Sequence, residues 1–140
     1  MRTRLVLATL PLAVVAVAVA PSFAAPKPVS KTYTATANPD PTPNADGACA
    51  RSLVGGEHLE PFKVTAAGKL AVEMTGFQGD WDLCVFDKTG KNLASSAGFV
   101  DQTKEATTVK FKKATEIVIV AQNLAGGPTA TVSYTFTPNR

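Results

Sequence analysis

Three aspartates stand close together in the middle of the chain, and their type and spacing best suggest a chemical role. Asp80, Asp82 and Asp87 would offer carboxylate oxygens from a turn and strand ends, and calcium prefers oxygen ligands of this kind. The alternative is that Asp80 and Asp82 cap a turn by accepting hydrogen bonds from nearby backbone amides. Turn capping is the favoured interpretation, so we expect no cofactor, with calcium as the open alternative.

Three aromatic residues are candidates for ligand contact: Trp81, Tyr33 and Phe99. An exposed aromatic ring can anchor a sugar or a protein side chain. Trp81 alternates with Leu83 and Val85, however, and that spacing predicts a buried ring. Tyr33 and Phe99 lie in less regular segments, so they are the better candidates for exposed binding residues.

The sole histidine, His58, has Glu57 and Glu60 beside it and Ser52 nearby in sequence. A serine hydrolase needs a nucleophile, a base and an orienting group, and the chain contains no G-x-S-x-G nucleophile motif. Glycosidases need two carboxylates across a cleft, which a domain of this size rarely encloses. We therefore expect a protein that is not an enzyme, with His58 on the surface of a strand.

The chain contains two cysteines, Cys49 and Cys84, and no C-x-x-C motif. An even pair in an exported protein is most simply a disulfide. The lone histidine makes a zinc site hard to assemble from this pair. The predicted disulfide would stabilise the fold by roughly 4 kcal/mol in the loop-entropy model.

The elements that must position these residues are β-strands. Polar and apolar side chains alternate between turns that contain Gly or Asn, which predicts strands at 31–37, 58–65, 69–75, 81–87, 92–95, 107–111, 116–122 and 129–137. No stretch has the helical period. The sequence therefore predicts an all-β fold, an antiparallel β-sandwich of the jelly-roll or immunoglobulin-like type with one disulfide.

Two of these strands have special predicted positions. Residues 31–37 alternate Thr with Tyr or Ala between proline-bearing segments, which predicts an edge strand because proline is excluded from sheet interiors. Residues 117–121 are apolar on both faces, which predicts a central strand that is covered on two sides.

The chain begins with Arg2 and Arg4, followed by an uncharged apolar run over residues 5–20. This pattern is typical of a signal peptide, and the small residues Ser22 and Ala24 predict cleavage after Ala24. An uncleaved anchor is the alternative, but a spanning helix needs roughly 20 uninterrupted apolar residues and Pro11 interrupts this run. We therefore expect a protein that is secreted, either extracellular or in the cell envelope.

The predicted organisation has three parts. A signal peptide covers residues 1–24, and residues 25–48 hold the edge strand and a proline-rich stretch. Residues 49–140 form the sandwich domain, against which residues 31–37 pack as an extra strand. This is enough chain for one core.

The charge balance argues against one class of partner. The chain has 14 basic and 11 acidic residues, and losing Arg2 and Arg4 with the signal peptide would leave a net charge of about +1. Nucleic-acid binding requires clustered Lys and Arg, so we expect no such partner, and none in the membrane after signal cleavage. Lys110, Lys112 and Lys113 form the only basic cluster, which a solvated strand face explains.

The stretch GKLAVEMTGFQGDWDLCVFDKTGKNLASS and the later stretch ATEIVIVAQNLAGGPTATVSYTFT resemble the bacterial pre-peptidase C-terminal (PPC) domain, a β-sandwich appended to many secreted peptidases. The motif positions are Gly68, the run Asp80-Trp81-Asp82-Leu83, Gly90 and Tyr134. Cys84 stands where that family often has an aromatic residue. The resemblance implies a noncatalytic accessory or binding module and transfers no ligand.

The sequence therefore predicts a secreted, noncatalytic binding or accessory module that acts at the cell surface or on an extracellular polysaccharide or protein. One alternative is a structural envelope protein that self-associates through the edge strand at 31–37. Another is a free-standing inhibitor or chaperone of a peptidase, which would present a loop at residues 53–56 braced by the disulfide.

Overall fold

The structure, a computed structural model, describes residues 26–40, 49, 56–98 and 102–139. The predicted signal peptide lies outside these residues. The strands are β1 (Val29–Thr36), β2 (Glu57–Val64), β3 (Gly68–Thr75), β4 (Gly79–Asp87), β5 (Asn92–Ser96), β6 (Lys104–Phe111), β7 (Thr115–Gly126) and β8 (Thr129–Pro138). The described part of the chain has no helix long and apolar enough to cross a membrane.

The strands form two antiparallel four-stranded sheets. Sheet one has the order β1-β8-β3-β6 and sheet two the order β2-β7-β4-β5. Consecutive strands therefore alternate between sheets in most steps, which is the strand order of an eight-stranded jelly roll. The predicted all-β sandwich is confirmed, and of the two types expected the jelly roll is the one formed.

Alternating side chains explain how sheet one buries one face. Leu70, Val72 and Met74 of β3 are almost fully buried, and in register they face Phe136, Tyr134 and Val132 of β8. Burying an apolar side chain of this size stabilises the fold by roughly 1.5–3 kcal/mol relative to leaving it exposed. The residues between them necessarily point outward, so the same alternation sets the composition of the outer face.

Sheet two is covered on both faces along its two central strands. Every residue of β4 from Trp81 to Phe86 is buried, with Leu83 and Val85 facing the core. On the outer face, Cys84, Phe86 and Val120 pack together with Cys49. The prediction of a central strand buried on two sides is confirmed for β7, which lies between β2 and β4.

β4 and β7 both extend further toward the apical end than predicted, because pairing between them outweighs the low strand propensity of the residues there. β7 continues past Gln122 to Gly126, since Asn123 pairs with Trp81 and Gly126 pairs with Gly79 on β4. Both glycines have positive φ, and a Cβ on Gly79 would collide with the backbone carbonyl of Ala125. Asn and Gly are poor strand formers by themselves, so this extension depends on close backbone approach between the strands.

The loops gather at two ends of the sandwich. The basal end holds the connections at 65–67, 88–91 and 112–114, and the apical end holds those at 76–78 and 127–128. At the apical end, Trp81 Nε1 and Asn123 Nδ2 both donate hydrogen bonds to the carbonyl of Gly127, at 3.2 and 3.1 Å. These bonds satisfy the two donors at that end of the core, whereas Asn123 Oδ1 is buried without a hydrogen-bond partner among the described residues.

The predicted disulfide is present and joins Cys49 to Cys84 across 35 residues of sequence, with a Cα–Cα distance of 5.9 Å. Cys84 is fully buried and Cys49 is 4% exposed. A disulfide in this position indicates an oxidising setting.

Replacing both cysteines (Cys49→Ala with Cys84→Ala) should lower the free energy of unfolding by roughly 2–5 kcal/mol, because the open chain regains loop entropy when it unfolds. Chemical denaturation of the variant and the wild type measures this difference. Ser95→Ala changes the exposed cross-strand neighbour of Cys84 and should stay within about 0.5 kcal/mol of wild type. Equal stability of the double variant and the wild type would contradict a stabilising disulfide.

Candidate binding groove and the predicted sites

The outer face of sheet one carries hydroxyl side chains along three of its strands. The alternation that buries the apolar residues leaves these outward: Ser30, Thr32 and Thr34 on β1, Thr131, Ser133, Thr135 and Thr137 on β8, and Thr108 on β6. Ser30 and Thr135 share a hydrogen bond of 2.8 Å between their hydroxyls. Each hydroxyl can both donate and accept a hydrogen bond, so this face can recognise polar ligands.

A shallow depression of about 540 Å³ lies in this face over β8, β3 and β6. Ala71 and Ala106 form its floor, because their side chains are shorter than those of the surrounding residues. The two alanines are diagonal neighbours on the paired strands β3 and β6. Thr108, Ser133 and Thr135 line its sides. We call this depression the outer trough.

The two ends of the outer trough differ in charge. Toward the apical end, Glu73 and Lys104 form an ion pair of 2.6 Å, with both side chains about half exposed. An exposed pair of this kind contributes at most about 1 kcal/mol. Toward the basal end, Lys69 and Lys110 stand directly opposite each other on β3 and β6. The trough is therefore neutral at one end and cationic at the other.

Tyr33, predicted to be an exposed binding residue, lies instead in the seam between the two sheets. Its ring stacks on His58 with centroids 5.3 Å apart, and its hydroxyl is buried without a hydrogen-bond partner among the described residues. Burial raises the pKa of Tyr33. Tyr33 is half-buried because β1 is an edge strand that packs beside β2, which sequence alternation alone does not show, and its role in binding stays a prediction.

His58 makes structural contacts in the same seam. Its Nδ1 accepts a hydrogen bond of 3.2 Å from the backbone amide of Thr36 on β1. Nearby, Lys31 pairs with Glu60 at 2.6 Å. His58 is half-buried on β2 rather than fully on the surface, and it joins the edges of the two sheets.

The opposite seam joins β5 to β6 through a buried acid. Glu105 is 2% exposed and accepts hydrogen bonds from the Ser96 hydroxyl and from the Gly98 amide at 2.9 Å. Ser96 in turn accepts a bond from the amide of Ala106. Because an inward-facing carboxylate is costly without donors, this network is what allows β6 to begin at Lys104 rather than at the predicted residue 107.

Asp82, one of the three predicted aspartates, is buried on β4 with 2% exposure. Burial raises the pKa of Asp82 to about 6, and the charges of Asp80 and Glu105 act in the same direction. A hydrogen bond from the backbone of Cys49 opposes the shift. Asp82 therefore holds the disulfide-bonded Cys49 backbone and sits among acids, so its charged form is disfavoured in the folded state.

Asp87 lies at the other end of β4, so the structure does not bring the three predicted aspartates together. Asp82 and Asp87 are five positions apart on an extended strand, a distance of roughly 16 Å. Asp87 Oδ1 accepts bonds from the Thr89 amide, the Thr89 hydroxyl and the Lys91 amide. The turn-capping role expected for Asp80 and Asp82 is thus performed by Asp87, at the basal end.

Three further predicted features have plain outcomes. Trp81 is 1% exposed, as its alternation predicted. Phe99 lies outside the described residues. Within the described ranges, no group of three or more His, Cys, Asp or Glu side chains is placed to hold a metal ion, and calcium stays the open alternative to the expectation of no cofactor.

Sequence reasoning did not find the outer trough. Its residues come from β3, β6 and β8, which are up to 64 positions apart between Ala71 and Thr135, and only strand pairing brings them together. The alternating Thr and Ser residues of β8 were a visible signal, but the same alternation is expected of any solvated strand face.

No protein-family model matches the chain, and no curated protein matches it. Among solved structures, the infectious bursal disease virus VP2 subviral particle is similar with a TM-score of 0.37 and 9% identity, over 90% of this chain and 37% of that one. The infectious bursal disease virus Gx strain gives a TM-score of 0.30 and 14% identity, over 89% and 36%. The chain spans little more than a third of those chains, and the fold assignment rests on strand order.

The raised pKa of Asp82 predicts how the free energy of unfolding depends on pH. An acid whose pKa is higher in the folded than in the unfolded state contributes stability when it is protonated. For Asp82 this contribution is fully present below the unfolded pKa near 3.8 and is lost as pH rises through the folded pKa of about 6. Asp82→Asn should therefore gain roughly 1–3 kcal/mol relative to wild type between pH 4 and pH 8. Denaturant titrations across this range measure the difference. A difference for Asp82→Asn that stays constant across this range would refute the assignment.

The turn around Asp87 makes a prediction about calcium. Asp87→Ala removes three hydrogen bonds and should lower the melting temperature by the same amount in calcium and in EDTA. Thermal melting of the variant and wild type in both buffers tests this. A loss that occurs only in calcium would show that Asp87 is a metal ligand after all.

Proposed function

We propose that this protein is a secreted, noncatalytic binding module whose outer trough holds an extended segment of an extracellular polysaccharide. The single observation that carries the proposal is the trough itself. It is a shallow, hydroxyl-lined depression on an otherwise continuous sheet face, with alanines at its floor and no deep enclosure.

The geometry suits a chain-like ligand better than a compact one. A depression open along the strands lets a polymer enter and leave at either end, whereas small molecules are usually bound in clefts that bury most of their surface. Hydroxyl groups of Thr108, Ser133 and Thr135 match the hydroxyl groups of sugars, because each partner can donate and accept. The floor alanines leave room for a sugar ring to lie on the sheet.

The compartment supports the same proposal. The Cys49–Cys84 disulfide indicates an oxidising setting, and the signal-peptide pattern of the first 24 residues favours export. The resemblance to PPC domains favours an accessory module, while the jelly roll as a fold hosts many functions and does not decide between them.

The alternative of self-association through the predicted edge strand finds less support. Edge strands associate when their free backbone groups are open to a second chain. In β1, the amide of Thr36 is bonded to His58 and Lys31 is paired with Glu60, so β2 occupies part of this edge. The inhibitor alternative rests on residues 53–56, of which only Gly56 is described.

Filling the outer trough should weaken polysaccharide binding without unfolding the protein. Ala71→Ile places a bulky aliphatic side chain, with no aromatic face and no hydrogen-bonding group, on the exposed floor of the trough. We expect affinity for the bound polysaccharide to fall by about tenfold or more, since the ligand loses contact with the trough floor. Co-sedimentation with insoluble glycans and affinity electrophoresis through soluble ones provide the measurement.

The matched control is Thr34→Ile, which places the same side chain on the same outer face on β1, outside the trough. Circular dichroism and melting temperature should be alike for both variants. If Thr34→Ile loses as much affinity as Ala71→Ile, or if wild type retains no polysaccharide, the proposed function is wrong.

A further inference from the structure

The charged side chains are divided between the two ends of the sandwich. At the basal end, the described residues include seven lysines against Asp87 and Glu116; the lysines are Lys63, Lys69, Lys88, Lys91, Lys110, Lys112 and Lys113. At the apical end the excess is acidic, from Asp40, Glu57, Asp80, Asp82 and Glu105 beside the Glu73–Lys104 ion pair. The formal net charge of +3 for the whole chain therefore conceals a separation of charge along the sandwich.

Two of the basal lysines form an unfavourable pair. Lys69 and Lys110 are directly opposite each other in the β3–β6 register, and both are exposed. Like charges directly opposite on neighbouring strands destabilise a sheet. Neither lysine forms an ion pair with a residue that the structure describes. An anion bound between them would remove the repulsion, so this position is prepared for a negatively charged ligand.

A cleft of about 660 Å³ lies at this pair. Lys69, Lys110 and Lys112 border it together with Gly68. A Cβ on Gly68 would collide with the Thr137 carbonyl and the buried Phe136 ring, so this position accepts only glycine. We call this the basal lysine cleft.

The basal lysine cleft continues the outer trough along the same two strands. Lys69 is two residues from Ala71 on β3, and Lys110 is two residues from Thr108 on β6, a step of roughly 7 Å along each strand. A polymer lying along the trough toward the basal end would therefore place its next groups between the two lysines.

We propose that the basal lysine cleft binds the acidic groups of the polysaccharide held in the outer trough, which makes the ligand an anionic glycan. This inference rests on the proposed function. Carboxylate, sulfate and phosphate groups share the chemistry that the cleft recognises, because a lysine ammonium acts as a point charge without the planar preference of arginine.

A nucleic acid fits the same surface less well. Single strands are held mainly by bases stacked on exposed aromatic rings. The aromatic residues that border the two depressions, Tyr134 and Phe111, are 6% and 8% exposed, so they offer no stacking platform. The neighbouring hydroxyl groups match sugars instead.

The test is affinity electrophoresis of the full chain, expressed for export so that the disulfide forms. The gels contain polygalacturonate as a carboxylated glycan, dextran sulfate as a sulfated one, neutral dextran, or single-stranded DNA. Lys69→Gln with Lys110→Gln should reduce affinity for at least one anionic glycan by about tenfold, with no change for dextran. Raising NaCl from about 0.05 M to about 0.5 M should weaken the wild-type interaction with that glycan.

Lys88→Gln with Lys91→Gln is the matched control, because it removes the same charge at the same end but outside the basal lysine cleft. It should change affinity less than about twofold, as expected for general charge alone. Equal losses in the two double variants, or no loss in Lys69→Gln with Lys110→Gln, would overturn the inference. Tighter binding to DNA than to either glycan, with the same lysine dependence, would also overturn it.

The two proposals fail in distinguishable ways. If Ala71→Ile reduces binding to dextran while Lys69→Gln with Lys110→Gln changes nothing, the trough function stands and the lysine inference is wrong. If the lysine variant alone reduces binding to the anionic glycans and Ala71→Ile has no effect on any glycan, the trough function is wrong and the cleft remains an anion site.

Discussion

The register that joins β3 to both β6 and β8 is the constraint on which the outer surface depends. Leu70, Val72 and Met74 anchor it by meeting their β8 partners inside the core. Because side chains alternate between faces with a period of two, a slip of one residue would send these apolar groups outward and the Thr and Ser residues inward. The trough and the basal lysine cleft are thus consequences of core packing.

The two sheets are joined at their sides by polar contacts and not only by the core. One seam uses the His58 and Tyr33 stack with the Lys31–Glu60 pair, and the other uses Glu105 with its donors. Buried polar groups of this kind are favourable only when they are satisfied. They position the edge strands, and with them the borders of the outer face of sheet one.

Charge and shape act together on that face. Hydroxyl groups and small alanines form the trough, and the paired lysines lie where β3 begins and β6 ends. This sheet face offers an extended polar surface with a cationic end. Separation of charge along the sandwich would also orient a charged polymer as it approaches.

The sequence alone determined the all-β class and nearly all strand positions, because alternation and turn residues are local properties. It also determined the Cys49–Cys84 disulfide, because the chain has one pair of cysteines. It also placed Trp81 in the core. Only the tertiary structure decided that Asp87 stands apart from Asp80 and Asp82, that Tyr33 is packed in a seam, and that Lys69 faces Lys110. Those facts depend on which strands pair and in what register, and pairing between distant strands is set by the packing of the whole core.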